Sequence, residues 1–402
     1  MTLINLGECN KNMIYSIIGG LSNLFVSVVL FLFKDEVELN KHPFMLGINA
    51  GFGMSLAIIP YIYILKYSKT NQEKQLNNNN YINQFLKRSH PIGKKQKDLI
   101  LFLCAFLDFL QKLLVFIFSN RLTNDVWVFD IIFLNAFSYM IKKNPLYKHQ
   151  FFSSGIMIVF GIGLNVFHLY NMKVEDIPSL LISLFIEIIY SLAIVLAKYG
   201  MDNLYCSPYE ITFYEGIFAL FMNIIFLVIT SNIPIPLIHQ NSFSKIFKVS
   251  EYKSKQYLDN FYTYYNSLDF IGVLLFIVVM AGRVVFNLFS HITIKHFTSS
   301  HVVLLLIMGE ITLHWKEKSL SDALVTGGIF IIELFMLLVF CEIIELNFCG
   351  LAYNTRKNIE ERATLSIYDE NKNDTDSKDI GGGLIIGNEE NLSFNNIFEE
   401  ND

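Results

Sequence analysis

The chain has 402 residues, of which 53% are hydrophobic and only 17% charged, with a formal net charge of −5 and a mean hydropathy of +0.42. Soluble domains carry about 25% charged residues, so a water-soluble enzyme or a basic nucleic-acid-binding domain fits this composition poorly. Length of the apolar runs decides between a large core and a bilayer: runs of about 18 residues or more are too long for core strands and suit spanning helices.

In chain order, the first such run begins near Met13, after a weakly charged leader that lacks a small-residue cleavage site. More runs follow directly, so it reads as a span and not as a signal peptide. The expected spans are Met13–Phe33, Pro43–Leu65, Leu99–Ser119, Val126–Ile141, Gln150–Leu169, Pro178–Lys198, Tyr209–Ile229, Leu268–Ile294, Ser299–Trp315 and Ala323–Ile344. Most connections are short, which makes sequential spans antiparallel neighbours in an all-α bundle. The cysteines Cys9, Cys104, Cys206, Cys341 and Cys349 form no CxxC pair and read as small buried hydrophobes.

Polar segments set the orientation. Residues 66–97 carry Lys66, Lys69, Lys74, Lys87, Arg88, Lys94, Lys95 and Lys97 against the single acid Glu73. If spans alternate, this loop shares a side with Lys142, Lys143, Lys148, Lys198, Lys295 and the Arg356/Lys357/Arg362 cluster. Basic short loops mark the cytoplasmic side, and an even number of spans puts both termini there. The polar loop 231–267 then faces the lumen or the exterior. Residues 351–402 hold 12 acids against 5 bases and read as a disordered tail. Anionic lipid headgroups are the expected contact of the 66–97 loop.

The two halves share a pattern. Residues 126–165 and 301–340 each present a short span, a lysine-containing turn and a long span with glycine near its start. A repeat of five spans must invert across the membrane, which is the architecture of many secondary transporters, with the site at the midplane between halves. The expected organisation is residues 1–12 as a short cytoplasmic N-terminus, 13–170 and 178–345 as inverted five-helix repeats, and 346–402 as the tail.

Three stretches carry a resemblance: Lys142–Gln150 (KKNPLYKHQ), Leu196–Leu220 (LAKYGMDNLYCSPYEITFYEGIFAL) and Phe286–Ile307 (FNLFSHITIKHFTSSHVVLLLI). They resemble the drug/metabolite transporter superfamily, and within it the solute carrier 35 F-type and chloroquine-resistance-transporter-like branch. The resemblance implies ten helices as two inverted five-helix repeats, cytoplasmic termini and a central cavity. It does not carry a substrate over: the family's arginine-glycine near the start of the fourth span is replaced by a region with Asp130, and residues 231–267 lack the cysteines typical of chloroquine-type members.

Ionisable groups inside spans are costly and need partners or water. In the eighth span Arg283, Asn287, Ser290 and His291 stand at i, i+4, i+7 and i+8, one helical face. This stripe is expected to line a cavity, the bland alternative being a seam of interhelical hydrogen bonds. Asp130, Glu187, Glu310 and Glu333 lie in the fourth, sixth, ninth and tenth spans, and Arg283 is placed to neutralise one of them. A carboxyl in such a site can bind and release a proton during turnover, or can be half of a structural ion pair. Asp108 and Lys112 are spaced to pair within one helix, and Glu215 packs locally or acts. In the first span Ser16, Gly20, Asn23 and Ser27 form a small polar stripe, with Asn23 a cavity candidate. Gly47 and Gly51 form a small-xxx-small pair in the second.

No phosphate-cradling GxxxxGK[ST], HExxH or GxSxG pattern occurs, so no enzymatic activity, cofactor, metal or nucleic-acid partner is expected. The expected function is secondary-active transport or exchange of a small polar or charged metabolite, with proton coupling an option. The membrane is expected to be an endomembrane, vacuolar, lysosomal or Golgi. Nucleotide-sugar exchange on the same fold and a non-transporting scaffold or regulator stay open, as does a monomer or a homodimer.

Overall fold

The computed structural model of the chain describes residues 4–6, 13–32, 42–63, 92–118, 128–142, 147–171, 177–236, 250–252, 254–303, 305–306 and 320–346. These are mostly helical. A short strand β1 (Ile4–Leu6) precedes α1 (Met13–Leu32), α2 (Pro43–Ser55, continuing to Tyr63), α3 (Ile92–Phe118), α4 (Val128–Lys142) and α5 (Lys148–Asn171). Then come α6 (Ile177–Asn203), α7 (Pro208–Asn232), strands β2 (Ser250–Tyr252) and β3 (Lys255–Tyr257), and the short α8 (Phe261–Ser267). The long α9 (Phe270–His296), a 3-10 turn at Ser299–Val302, α10 (Leu320–Phe340) and β4 (Ile344–Leu346) complete the order.

Local chemistry sets the helix starts. Pro43 and Pro208 stand in the first turns of α2 and α7, where the missing N–H costs nothing and the fixed φ is already helical. Before α7 the Ser207 N–H donates to Glu210 Oε2 at 3.3 Å, one arm of a capping box. Asp269 opens α9 by accepting the Gly272 N–H at 2.6 Å. Four stretches are long and apolar enough to cross a membrane, Pro43–Tyr63, Leu180–Asn203, Pro208–Asn232 and Phe270–His296; Ile14–Val29, Phe129–Ile141 and Gly327–Phe340 are shorter apolar helices. Of the ninth expected span, Ser299–Trp315, residues 299–303 and 305–306 are described and the rest lies outside the described residues.

The core runs along the bundle through Leu134, Met157, Val195, Ile294 and Leu337, all fully buried. Meanwhile Phe151, Val159, Phe221 and Ile331 are exposed on the outside. A large apolar outer surface is what lipid contact requires and what water would penalise. Helix α2 packs on α7, α1 on α9, α3 on α6 and α7, α4 on α6, α5 on α10, and α9 on α2 and α7. Lipid is as apolar as leucine, so close approach and polar contacts do the holding. Ser16 Oγ lies 3.1 Å from Thr293 Oγ1, and Ser22 Oγ donates to the Gly282 carbonyl at 2.8 Å.

Contacts at the helix ends fall into two groups. At one end, Lys97 of α3 pairs with Glu210 of α7 at 2.8 Å, and Lys198 of α6 donates to the Lys295 carbonyl of α9 at 3.2 Å. There too His149 of α5 lies 3.1 Å from Glu342 after α10, and β1 pairs antiparallel with β4, Ile4 opposite Leu346. The Glu210 carboxylate beside it raises the Lys97 ammonium above its ordinary value against the opposing pull of burial. Cys206 lies in the turn between α6 and α7 at this end, buried and free, and burial pushes its thiol up to about 11.

At the other end, the segment 231–267, expected as a polar loop, holds the β2–β3 hairpin and α8. Alternating polarity is too weak over three-residue strands to show in the sequence. Asp259 anchors this segment. Its carboxylate lies 2.6 Å from His42 Nδ1 and accepts the N–H groups of Phe44 at 2.8 Å and Asn260 at 2.7 Å. Both His42 and Asp259 are fully buried. Removing an acceptor that serves several buried donors costs about 3 kcal/mol. Asp259→Ala is therefore expected to lower the thermal unfolding midpoint of the detergent-purified protein by several degrees; an unchanged midpoint would show that the anchor is dispensable.

Candidate polar site within the bundle

Three helices bring polar side chains together inside the apolar bundle. On α3, Lys112 Nζ lies 2.7 Å from Asp108 Oδ2, the expected one-turn pair. The same ammonium reaches across to Asn287 Oδ1 on α9 at 3.4 Å and to Met54 Sδ on α2 at 3.5 Å. One turn further along α9, His291 Nε2 lies 3.4 Å from Glu215 Oε1 on α7. His291 Nδ1 lies 2.9 Å from Thr212 Oγ1, and that hydroxyl donates to the Pro208 carbonyl at 2.8 Å.

Thr212 thus links His291 to the first turn of α7. Nε2 of His291 faces the Glu215 carboxyl, and an imidazole and a carboxyl so placed can hold a proton on the ring or on the acid. Glu215 and His291 are both buried, and the charges of Asp108 and Lys112 act on both. The arrangement is a buried histidine–carboxyl pair beside a partly buried ion pair.

Of the residues singled out in the sequence, Asn287, His291, Asp108, Lys112 and Glu215 thus meet. Glu215 faces α9. Arg283 sits a turn before Asn287, whose Nδ2 donates to the Arg283 carbonyl at 2.8 Å. Its guanidinium has no carboxylate partner among the described residues, and Glu310, one of the four acids expected to neutralise it, lies outside them. Ser290 turns back onto its own helix, donating to the Phe286 carbonyl at 2.8 Å. Asn23 donates to the Leu305 carbonyl at 3.1 Å and so joins α1 to the ninth segment instead of lining the cluster.

Asp130 and Glu187 form a separate group between α4 and α6. Their carboxyls are close enough to act on each other, and Ser191 Oγ donates to Asp130 Oδ1 at 3.3 Å. Glu333 is buried in α10, and Glu310 lies outside the described residues. Sequence reasoning missed Thr212 and Met54. Thr212 precedes Glu215 by three residues and shares its helix face, a signal that was present; a methionine on an apolar helix gives none.

A cleft of about 540 Å3 opens between α3 and α7, lined by Leu101, Phe102, Tyr214, Ile217, Phe218 and Phe221 with Asp98 and Ala105. It is an outward-facing apolar groove, and none of the polar cluster lines it. Among the described residues no three His, Cys, Asp or Glu side chains converge as a metal site.

No family model and no curated protein matches the chain. Fold and site together define a mostly helical protein with apolar helices of membrane-spanning length and a buried, charged cluster between them.

Proposed function

We propose that this chain is a secondary transporter or exchanger of a small polar or charged metabolite, working by alternating access between two inverted five-helix repeats. One observation carries the reading: Asp108, Lys112, Glu215, Asn287 and His291 converge from three helices inside an apolar bundle. Charges at that depth are costly, and a dry structural seam would be cheaper with apolar side chains.

The packing supports the inverted repeat. If a helix in one half corresponds to the helix five spans later, the contact of the third and sixth spans (α3 with α6) corresponds to that of the eighth and first (α9 with α1). The third with the seventh (α3 with α7) likewise corresponds to the eighth with the second (α9 with α2). Contacts between the second and seventh (α2 with α7) and the fifth and tenth (α5 with α10) map onto themselves. The grouping of helix-end contacts agrees with strict alternation, and the β1–β4 pair supports the segments before α1 and after α10 lying on one side of the membrane, on our reading the cytoplasmic side of an endomembrane.

The test is uptake into proteoliposomes from a panel of carboxylates, organic phosphates, amino acids, organic cations and nucleotide sugars, with and without a pH gradient. Saturable uptake or counterflow of any of them supports transport. No counterflow by protein that is monodisperse and folded would leave a scaffold or regulator as the better reading.

A further inference from the structure

We infer that Arg283 binds an oxyanion group, carboxylate or phosphate, on the transported solute, so that the substrate is a small organic anion. The inference rests on the transport reading and names the substrate class of the same site.

Position comes first. Arg283 stands at the middle of α9 (Phe270–His296), about 20 Å from either end at 1.5 Å per residue. That places it near the midplane of a bilayer, where transporters built from inverted repeats bind their substrates and beyond the reach of an arginine stem to the headgroups. Its face of α9 is the one that carries Asn287 and His291.

Charge comes second. The nearby acids are engaged: Asp108 with Lys112 at 2.7 Å, Glu215 with His291 at 3.4 Å. The Asp108–Lys112 pair sums to zero. Glu215 and His291 face each other, so neither nearby acid is left for Arg283, whose guanidinium pairs with no carboxylate among the described residues. The side chain is half-buried. An unpaired cation at this depth is strongly disfavoured, and a bound anion removes the penalty. Guanidinium also has the planar fork that matches a carboxylate or phosphate with two parallel hydrogen bonds. Lys112, which already reaches Asn287 on α9, is a second donor one turn along.

The experiment measures binding separately from transport. The purified full chain in neutral detergent is titrated with inorganic phosphate, citrate, sodium chloride and tetraethylammonium chloride at matched ionic strength, following the unfolding midpoint. Phosphate or citrate should raise the midpoint saturably and chloride should not. Arg283→Gln should weaken that binding about tenfold or more, the loss of a charge-assisted hydrogen-bond pair, with Arg283→Lys falling between. If Arg283→Gln does not fold, the lysine variant carries the comparison. Equal oxyanion binding by wild type and variant, or stabilisation by tetraethylammonium alone, overturns the inference. An Arg283-dependent shift produced only by anionic phospholipid added to the micelles also overturns it, because the occupant is then a lipid. Oxyanion binding without uptake of any solute would overturn the transport reading and leave the anion site standing. Uptake of cations without oxyanion binding would do the reverse.

Discussion

On the proposed transport reading with proton coupling, proteoliposomes carrying His291→Gln are expected to lose gradient-driven accumulation of the transported solute while still exchanging it at equilibrium. A pH difference of one unit supports about tenfold accumulation per proton carried, since one pH unit corresponds to 1.36 kcal/mol. Wild-type vesicles should therefore approach a tenfold concentration ratio and the variant a ratio near one. The reason is the hydrogen-bond chain. Thr212 holds Nδ1, which leaves Nε2 facing Glu215, the pair we propose exchanges the proton. Glutamine can occupy the space and donate to Glu215, but it cannot take up a proton. Glu215→Gln should give the same loss from the other side of the pair. Asp108 and Lys112 face the same space from α3, yet their mutual pair leaves no proton to exchange, so Asp108→Asn should slow uptake without removing its response to the gradient. Full gradient-driven accumulation by His291→Gln would show that the coupling proton is held elsewhere, and the carboxyl pair Asp130–Glu187 would be the next to remove.

Much of the bundle can be read from the sequence because helix faces and helix ends are local. The expected span Leu268–Ile294 and the observed α9 (Phe270–His296) differ by two residues at each end. Asn287 and His291 share a face because 3.6-residue periodicity is a property of one helix. Partners across helices are a different matter. Asn287 meets Lys112 at a separation of 175 residues, and His42 meets Asp259 at 217. Nothing in either segment encodes the register between them; it emerges when whole helices pack. The same reason explains Asn23. A polar residue inside a span is conspicuous in sequence, but whether its amide finds a cavity or a neighbouring carbonyl depends on what lies opposite, and opposite Asn23 is Leu305. Local chemistry also hid the structure of 231–267. Its hairpin turns at Ser254 with a φ of 61°, a conformation that glycine or asparagine would have advertised.

Gly216→Leu is expected to prevent folding, giving aggregated material in size-exclusion chromatography where the wild type is monodisperse. Helices α2 and α7 cross at Gly51 and Gly216. A Cβ on Gly51 would lie 2.6 Å from the Leu220 nitrogen and 3.0 Å from the Gly216 oxygen, and one on Gly216 would run into the Ser55 nitrogen and the Met54 backbone. These are backbone atoms, which no rotamer change moves away, so the helices would have to separate. Overpacking a well-fitted contact costs about 1–3 kcal/mol even where side chains can yield, and here they cannot. Gly155 has nothing within 4 Å of its would-be Cβ, so Gly155→Ala should be neutral or slightly stabilising and serves as the control for glycine replacement as such. The crossing also ties packing to the site. Glu215 precedes Gly216 on α7, and Met54 of α2 touches both Gly216 and Lys112. A milder Gly51→Ala or Gly216→Ala should then show itself in function before it shows in stability, by drawing Glu215 away from His291 and weakening the response to a pH gradient. If Gly216→Leu protein is monodisperse with an unchanged midpoint, the close approach of α2 and α7 is not what holds the two halves together, and polar contacts such as Ser16–Thr293 must carry that load.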